Sequence, residues 1–138
     1  MSKEENITTQ GSFGKAVNNG KLYEFADLMT ADVEDHDPAP DQGEVPEGFV
    51  AFFTKFRTAF PDLEVAVDKM VADDENIAIA YTVTGTHDGP FLGLPATGKK
   101  IKARGMQIAR FEDGRIAERW GSSDELGILK QLGANPTG

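Results

Sequence analysis

The chain has 138 residues, of which 39% are hydrophobic and 27% are charged, and these proportions are typical of a folded globular protein and not of a disordered one. Its net charge of −9 argues against nucleic acid as a partner, because phosphate binding requires a positive surface. Cysteine is absent, which excludes disulfides and cysteine-bound zinc and is compatible with a cytoplasmic location, and no apolar run approaches the roughly 18 residues of a membrane span, so we expect no membrane association.

The first third of the chain shows helical periodicity. Apolar residues recur at helical spacing over residues 13–17, and the pattern stops at the Asn-Asn-Gly sequence 18–20, which is typical of a helix end. The same spacing over 22–29 predicts a second, shorter helix. Residues 32–43 contain two prolines and many short polar side chains, so a brief strand followed by a loop is predicted there.

The third helix is the most clearly predicted element. Pro46 suits the first helical turn, where a missing N–H has no cost, and Pro61 marks the end. Between them, five phenylalanines follow the i, i+3, i+4, i+7, i+11 pattern of one helix face, namely Phe49, Phe52, Phe53, Phe56 and Phe60. We expect this stripe to be buried, either as part of the core or as one wall of a ligand pocket.

After Pro61 the hydrophobic period changes from 3.6 to 2, which indicates β-strands. Alternation of apolar and polar residues runs over 63–67 and, after the polar turn 73–76, over 77–83. A connection rich in glycine and proline then occupies 88–98.

The end of the chain predicts a β-hairpin and a helix. Two strands, at about 100–111 and 115–122, are joined by the turn Glu112-Asp113-Gly114. A short helix follows from 124 to 132, with Gly133 as its C-terminal cap. Helices first and strands last favour an α+β fold with helices on one side of a mostly antiparallel sheet, and residues 1–138 are predicted to form a single domain.

Charge is unevenly distributed along the sequence. No basic residue lies between Lys21 and Lys55, where acidic residues accumulate, whereas half of the 14 basic residues lie between Lys99 and Arg119. This pattern predicts either two oppositely charged surfaces or a self-complementary contact in a dimer.

Two segments imitate ligand-binding motifs without completing them. Residues 93–100 nearly spell a phosphate-binding P-loop, but Lys100 stands where Ser or Thr should reach magnesium and a strand follows instead of a helix. The acidic loop 35–44 has prolines where an EF-hand requires a ligand and a glycine, which leaves at most an irregular, weak cation site. The two histidines, His36 and His87, lie outside any ligand-spaced motif, so neither a metal nor a cofactor is predicted.

Several short runs distributed along the chain carry a family signature. They are His36-Asp37-Pro38, Ala59-Phe60-Pro61-Asp62-Leu63, the runs 85–93, 95–99 and 110–118, and the closing Trp120, Asp124 and Gln131-Leu132-Gly133. In this order and over nearly the whole chain, they resemble the SnoaL-like polyketide cyclase and ester cyclase family.

The resemblance implies a cone-shaped nuclear transport factor 2-like fold. In that fold three N-terminal helices pack on a strongly curved, mixed but mostly antiparallel sheet, a short C-terminal helix follows, and a small-molecule pocket lies between helices and sheet. It also implies a homodimer formed through the outer face of the sheet. Cyclases of the family close the ring of a polyketide ester by an intramolecular aldol reaction without a metal or organic cofactor, and an aspartate on the last strand exchanges protons with the substrate.

The sequence departs from this pattern at the catalytic position. Aligned on the final hairpin, the resemblance assigns the cyclase aspartate to Gly121, two histidines to Arg119 and Gln107, and a further pocket position to Gly105. Glycine has no side chain that can exchange a proton. If the pocket is catalytic, the base must therefore come from His36, Asp35, Asp37 or Asp124.

Each of these groups also has an alternative explanation. His36 titrates near neutral pH, with an ordinary pKa near 6.5, but it can equally be a solvated loop residue. Asp124 begins the last helix and can serve only as its cap. Arg119 can stabilise an enolate or bind a carboxylate but cannot act as a base, and it can instead be a surface residue paired with an acid.

We therefore predict a catalytic set of His36, Arg119, Gln107, Asp124 and Asp35, and substrate contacts from Phe53, Phe56, Tyr81, Gly105, Gly121 and Trp120. The predicted function is cofactor-independent acid–base chemistry on a small apolar or aromatic carbonyl or ester compound. The alternative is a non-catalytic domain that retains the pocket and binds such a compound.

Overall fold

The computed structural model describes residues 3–38 and 42–133, and its elements follow the predicted order. The helices are α1 (Lys3–Asn19), α2 (Phe25–Leu28) after a 3₁₀ turn at Leu22–Glu24, α3 (Glu47–Ala59) and α4 (Glu125–Gln131). The strands are β1 (Met29–Asp35), β2 (Glu64–Ala72), β3 (Asn76–Thr86), β4 (Lys100–Glu112) and β5 (Arg115–Ser123). Three N-terminal helices, one mixed sheet and a short last helix confirm the predicted α+β fold.

The five strands form one sheet in the order β1-β5-β4-β3-β2. Strands β2 to β5 form an antiparallel ladder, whereas β1 pairs with β5 in the parallel direction. The parallel pairing sets Asp35, at the end of β1, opposite Arg119 on β5. Side chains from the early, acidic part of the chain and from the later, basic part therefore meet within the same molecule.

The helices cover one face of the sheet, called here the inner face. Alternate residues of β4 are buried from Ile101 to Phe111, which shows that this strand turns one side to the helices and the other to solvent. On the helix side, Phe13 of α1 stacks on Phe25 of α2 with ring centroids 4.6 Å apart. Full burial of a phenylalanine contributes roughly 2 kcal/mol, so this aromatic contact anchors the helical layer.

The phenylalanine stripe of α3 behaves in two ways. Phe49 and Phe60 are buried as predicted, but Phe52, Phe53 and Phe56 are only partly buried. The expectation that the whole stripe is buried is wrong, because Phe53 and Phe56 pack against the core on one side but line a cavity on the other, as Phe52 also does. The stripe is thus core at its ends and a cavity wall at its centre.

The outer face of the sheet carries an exposed apolar area. Met106, Ile108 and Trp120 are exposed on β4 and β5, and Ile108 is paired with Trp120 across the two strands. Val71 on β2 is also exposed and continues the area towards the other edge, because its partner Ala78 on β3 is in turn paired with Ile108. We refer to Val71, Met106, Ile108 and Trp120 as the outer apolar face.

Two element ends differ from the prediction. The second helix stops at Leu28, because Met29 already begins β1, and the strand predicted after residue 32 is therefore longer and earlier than expected. α3 begins directly after Pro46, in agreement with its predicted first turn. Among residues 3–38 and 42–133, no helix has both the length and the apolar character required to cross a membrane.

Candidate active site

A cavity of about 350 Å³ lies between α3 and the inner face of the sheet. One wall is formed by the phenylalanines of α3, and the opposite wall by Tyr81, Ala103, Arg119 and Gly121 of β3, β4 and β5. Asp37 and Gln42, from the segment that connects β1 to α3, lie at its rim. The cavity therefore combines an aromatic wall with a small group of polar side chains, as ligand sites commonly do.

Two glycines on the sheet make room for larger side chains that line this cavity. Gly105 and Gly121 lie on the inner face, and a Cβ atom at Gly105 would collide with the ring of Tyr81. The Tyr81 ring therefore lies directly over β4, and its hydroxyl has no hydrogen-bond partner within the part of the chain that the structure describes. Burial raises the pKa of Tyr81, and the positive charge of Arg119 only partly opposes this. The phenol is consequently neutral at physiological pH and can donate a hydrogen bond to a ligand.

Arg119 is a cation held in a fixed position in the cavity, which Arg104 also lines. Its Nε donates to Oε1 of Gln107 at 2.8 Å, and its Nη1 donates to Oδ1 of Asp35 at 2.9 Å. The guanidinium carbon lies 5.4 Å from the centre of the Phe49 ring, which adds a cation–π contact. No described residue accepts a hydrogen bond from Nη2, so Arg119 retains donors for a ligand oxygen.

Asp35 positions Arg119 and has little capacity for other chemistry. Its side chain is 4% exposed, and its two oxygens accept from Arg119 Nη1, from the backbone N–H of Asp37 at 3.0 Å and from Nε2 of Gln42 at 2.9 Å. These three partners occupy both oxygens of the carboxylate. Proton transfer to it would break the pair that orients Arg119.

The guanidinium of Arg119 occupies the space that a side chain at position 121 would need. A Cβ atom at Gly121 would lie 2.5 Å from Nη2 and 2.9 Å from Cζ of Arg119. The backbone N–H of Gly121 donates to Oδ2 of Asp37 at 2.9 Å. A guanidinium and a carboxylate thus both lie against the residue to which the family resemblance assigns the catalytic aspartate.

A second, apolar cavity of about 470 Å³ adjoins the first. It is formed between α3 and the loop after β3, with Pro90, Phe91 and Leu92 on the loop side. Phe52 and Phe56, together with residues 123, 125 and 128, line both cavities. The two spaces are therefore neighbours that share the central phenylalanines of α3.

Five of the predicted site residues line the first cavity: Phe53, Phe56, Tyr81, Arg119 and Gly121. Gln107 lies beneath it and holds Arg119, and Gly105 provides the space for Tyr81. Asp35 is not part of the cavity lining but contacts three residues that are, namely Arg119, Asp37 and Gln42. Of the predicted set, Gln107, Asp35 and Gly121 thus all lie against Arg119.

His36 and Trp120 are on the outer side of the sheet, which corrects their expected position. The two rings stack with centroids 4.6 Å apart and an interplanar angle of 7°. Nε2 of His36 lies 2.7 Å from Oε2 of Glu118, whose Oε1 accepts from Arg110 at 2.6 Å. The hydrogen bond with Glu118 raises the pKa of His36, and hydrogen bonds with His36 and Arg110 lower the pKa of Glu118. Successive side chains of a strand point to opposite faces of the sheet. Because Asp35 and Arg119 point inward, their neighbours His36 and Glu118 point outward.

The same outer cluster contains the one group of potential metal ligands among the described residues. Ligand atoms of Glu34, His36 and Glu118 lie within 4.8 Å of one another. Arg110 already neutralises Glu118, and a cation there would compete with this guanidinium. The cluster is best described as a surface ion-pair network.

Asp124 lies outside the first cavity and caps α4. Its Oδ1 accepts from the backbone N–H of Gly127 at 2.8 Å, which satisfies one of the free N–H groups of the helix end. The expected alternative role of this residue, as a helix cap, therefore accounts for its contacts.

Sequence reasoning missed Gln42, Arg104, Ser122, Ser123 and Glu125 as polar residues that line the first cavity. Gln42 lies in a loop with no periodicity, so no sequence signal places it. Ser122 and Ser123 end β5, and alternation alone fails there because both line the cavity. Glu125 was expected only as part of the last helix.

Comparison with known proteins gives a consistent result. The sequence model of the family described as SnoaL-like polyketide cyclase matches residues 8–132. Aklanonic acid methyl ester cyclase DnrD of Streptomyces peucetius is 26% identical to this chain over 123 residues, which are 86% of this chain and 84% of that protein.

Solved structures resemble the chain over nearly its full length. TsrD of Streptomyces laurentii superposes with a TM-score of 0.88 at 26% identity, covering 98% of this chain and 99% of TsrD. AclR of Streptomyces galilaeus, described as a proposed hydroxylase, superposes with a TM-score of 0.84 at 26% identity, covering 98% and 100% of the two chains. The shared fold thus occurs in proteins to which different reactions are attributed.

Proposed function

The chain belongs to the SnoaL-like polyketide cyclase family, and on this premise we propose that it catalyses the cofactor-independent ring closure of a polyketide ester or a related carbonyl compound. The observation that carries the proposal is Arg119, which Asp35 and Gln107 hold in place while Nη2 has no partner among the described residues. The name of the relative DnrD, a methyl ester cyclase, supports the same class of reaction.

The chemistry required is the stabilisation of an enolate. Removal of a proton next to a carbonyl group leaves negative charge on the carbonyl oxygen, and a fixed donor beside that oxygen lowers the barrier. Arg119 would supply a charged donor and Tyr81 a neutral one. Loss of one such donor typically costs about 100- to 1,000-fold in turnover.

The ligand expected in this site is aromatic or otherwise apolar over most of its surface. Phe49, Phe52, Phe53 and Phe56 line one side of the first cavity, and the second, apolar cavity begins at Phe52 and Phe56. A substrate longer than the first cavity would extend its apolar part between α3 and the loop at Phe91. The reacting carbonyl would then lie at the polar end, near Arg119.

The decisive assay uses aklanonic acid methyl ester, the compound in the name of DnrD. Cyclisation yields an isomer, so mass spectrometry should find an unchanged mass at a shifted chromatographic retention. Gain of one oxygen atom would instead indicate hydroxylation, the activity attributed to AclR. Deuterium uptake at the carbon next to the carbonyl group, measured in D₂O, reports enolate formation even if ring closure is slow. An Arg119→Gln variant serves as the matched control and should lose most of both signals.

A second candidate function is the binding of such a compound without catalysis. The observation that favours it is Gly121, since the residue that carries the acid–base carboxylate in the family resemblance has no side chain here. Binding alone predicts an increase in melting temperature with added ester but neither a new product nor deuterium uptake. Melting temperature, product formation and deuterium uptake measured on the same samples thus distinguish the two candidate functions.

The homodimer expected from the resemblance is also a proposal. The outer apolar face is the surface suited to it, because Met106, Ile108 and Trp120 are exposed beside each other on two strands. Substitution Ile108→Lys should shift the mass measured by light scattering from a dimer to a monomer. A dimer that persists in this variant would contradict the proposed interface.

The cytoplasmic location predicted from the sequence remains a prediction.

A further inference from the structure

We propose that the carboxylate of Asp37 is the catalytic base of this site, supplied by the segment after β1 in place of a side chain on β5. This inference rests on the proposed function and names the group that would remove the proton. It explains how a chain with glycine at position 121 can retain acid–base chemistry.

The first observation is the position of the Asp37 side chain. Its Oδ2 accepts a hydrogen bond from the backbone N–H of Gly121 at 2.9 Å, and both residues line the first cavity. The carboxylate is thus held against the point on β5 where an aspartate side chain would begin. The other oxygen, Oδ1, accepts no hydrogen bond from the residues that the structure describes.

The second observation is that the segment carrying Asp37 is fastened to β5. Its own N–H donates to Oδ1 of Asp35, which is paired with Arg119, and the N–H of His36 donates to the carbonyl oxygen of Arg119 at 2.9 Å. Three consecutive residues are therefore bonded to one stretch of the last strand. A base must be held within reach of the proton that it removes, and this arrangement provides such a fixed position.

The third observation is the elimination of the other nearby acids. The oxygens of Asp35 are hydrogen-bonded to Arg119 and Gln42. Asp124 caps α4, and Glu118 lies on the outer face with His36. Glu125 also lines the first cavity, but it does so from α4 and shares the second cavity. Only Asp37 and Arg119, among these groups, both lie against Gly121.

The step balances without any co-reactant. Asp37 takes the proton from the carbon next to a carbonyl group, and the C–H electron pair becomes the double bond of an enolate whose oxygen is held by Arg119. The enolate carbon forms a C–C bond to a second carbonyl carbon of the same molecule, whose oxygen becomes an alkoxide. The protonated Asp37 returns its proton to that alkoxide, so the product is an isomer and the base is regenerated.

The test compares Asp37→Asn with Asp32→Asn, which removes the charge of an exposed side chain on β1 outside both cavities, in the assay with aklanonic acid methyl ester. A Glu125→Gln variant tests the competing base. Asparagine has nearly the shape of aspartate and its oxygen can still accept from Gly121 N–H, so only basicity is removed. We expect Asp37→Asn to lose about 100-fold or more in turnover and deuterium uptake, with unchanged affinity for the ester and unchanged melting temperature. Asp32→Asn should remain within about threefold of the unsubstituted protein.

An Asp37→Ala variant adds a readout that a merely structural role would not produce. Added formate should restore part of its turnover in proportion to concentration, because a small carboxylate can occupy the vacated space. An active parent protein with a fully active Asp37→Asn variant would overturn the inference while leaving the proposed function intact. Loss of activity in Glu125→Gln but not in Asp37→Asn would overturn it in favour of Glu125. A parent protein that neither cyclises nor exchanges the ester would overturn the proposed function and this inference together.

Discussion

Two ion pairs lie back to back across β5, and their difference is instructive. Asp35 and Arg119 meet at 2.9 Å on the inner side, with side chains 4% and 19% exposed. His36 and Glu118, the next residues on each segment, meet at 2.7 Å on the outer side, with side chains 33% and 22% exposed. Nearly identical distances therefore occur in environments that differ in access to water, and a distance alone does not indicate what an ion pair contributes.

The inner pair is the one with large consequences. Removal of Arg119 leaves the carboxylate of Asp35, which is 4% exposed, without its cation, whereas the outer pair is partly screened and retains Arg110 as a second partner for Glu118. The inner pair also orients the guanidinium towards a cavity, while the outer pair contacts Trp120 on a surface. Substitutions on the two sides of the same strand should thus have very different effects.

The largest effect is expected for Arg119→Ala. It leaves the buried carboxylate of Asp35 without its cation, which should lower the free energy of unfolding by about 3–5 kcal/mol in urea denaturation. Turnover of the ester should fall by about 100-fold or more in protein that remains folded. The double variant Asp35→Asn/Arg119→Gln, which removes both charges, is the control and should recover part of the stability. A loss below about 1 kcal/mol would mean that the inner pair behaves like a surface pair.

The next largest effect is expected for Gly121→Ala. The added Cβ would lie 2.5 Å from Nη2 of Arg119, so the guanidinium must move away from its bonds with Gln107 and Asp35. We expect a loss of about 1–3 kcal/mol in the free energy of unfolding, with reduced affinity for the ester by calorimetry.

Gly14→Ala is the matched control for this substitution. No atom would lie within 4 Å of the new Cβ, and the position is inside α1, so stability should rise by about 0.5–1 kcal/mol. If both substitutions had the same sign, the steric explanation for Gly121 would be wrong.

A moderate effect is expected for Asp124→Ala. The loss of the bond to Gly127 N–H removes the cap of α4 and should cost about 1 kcal/mol in thermal or urea denaturation. Asp124→Asn retains a capping oxygen and should cost less, and both variants should keep the turnover of the ester. A large fall in turnover for Asp124→Asn would restore the predicted catalytic role of this residue.

The smallest effect is expected for His36→Gln, and it should depend on pH. The pKa of His36 is raised in the folded chain. Its contribution to the stability of the fold is therefore complete below its ordinary pKa of 6.5 and disappears as the pH rises through its pKa in the folded chain. The pKa of Glu118 is lowered, so its contribution is present above 4.5 and disappears as pH falls through the folded value.

The melting temperatures of the parent and His36→Gln should therefore differ most between these two values, near about pH 5.5, and least near about pH 8.5. Turnover of the ester should be unaffected at either pH. A difference that grew towards alkaline pH would contradict the charged pair.

Much of the fold was predictable because it depends on local periodicity. The phenylalanine spacing of α3 and the alternation in β2 to β5 each specify an element from neighbouring residues alone. The parallel pairing of β1 with β5 was not predicted, since it joins residues such as Asp35 and Arg119 that lie 84 positions apart. Strand pairing over that distance depends on the packing of the whole sheet.

The site was predicted in part from the family resemblance. Aligned on the final hairpin, the resemblance indicated Arg119 and Gln107, and the structure finds both on the inner face. His36 was expected in the pocket from the family signature and its titration range, and its outward direction could not be read from the sequence because the register of β1 with β5 shifts between Met29 and Glu34. The steric reason for Gly121 also requires the position of the Arg119 guanidinium. The predicted organisation of residues 1–138 as one domain stays a prediction.

The parallel pairing of β1 and β5 has a consequence during synthesis. On the ribosome, β1 emerges long before β5 exists, so its backbone N–H and C=O groups remain open to any other strand that it meets. Asp32, Glu34, Asp35 and Asp37 give this segment a dense negative charge, which repels copies of itself on neighbouring nascent chains. The acidic segment that positions Arg119 in the folded protein thus also opposes aggregation through the unpaired strand β1 during synthesis.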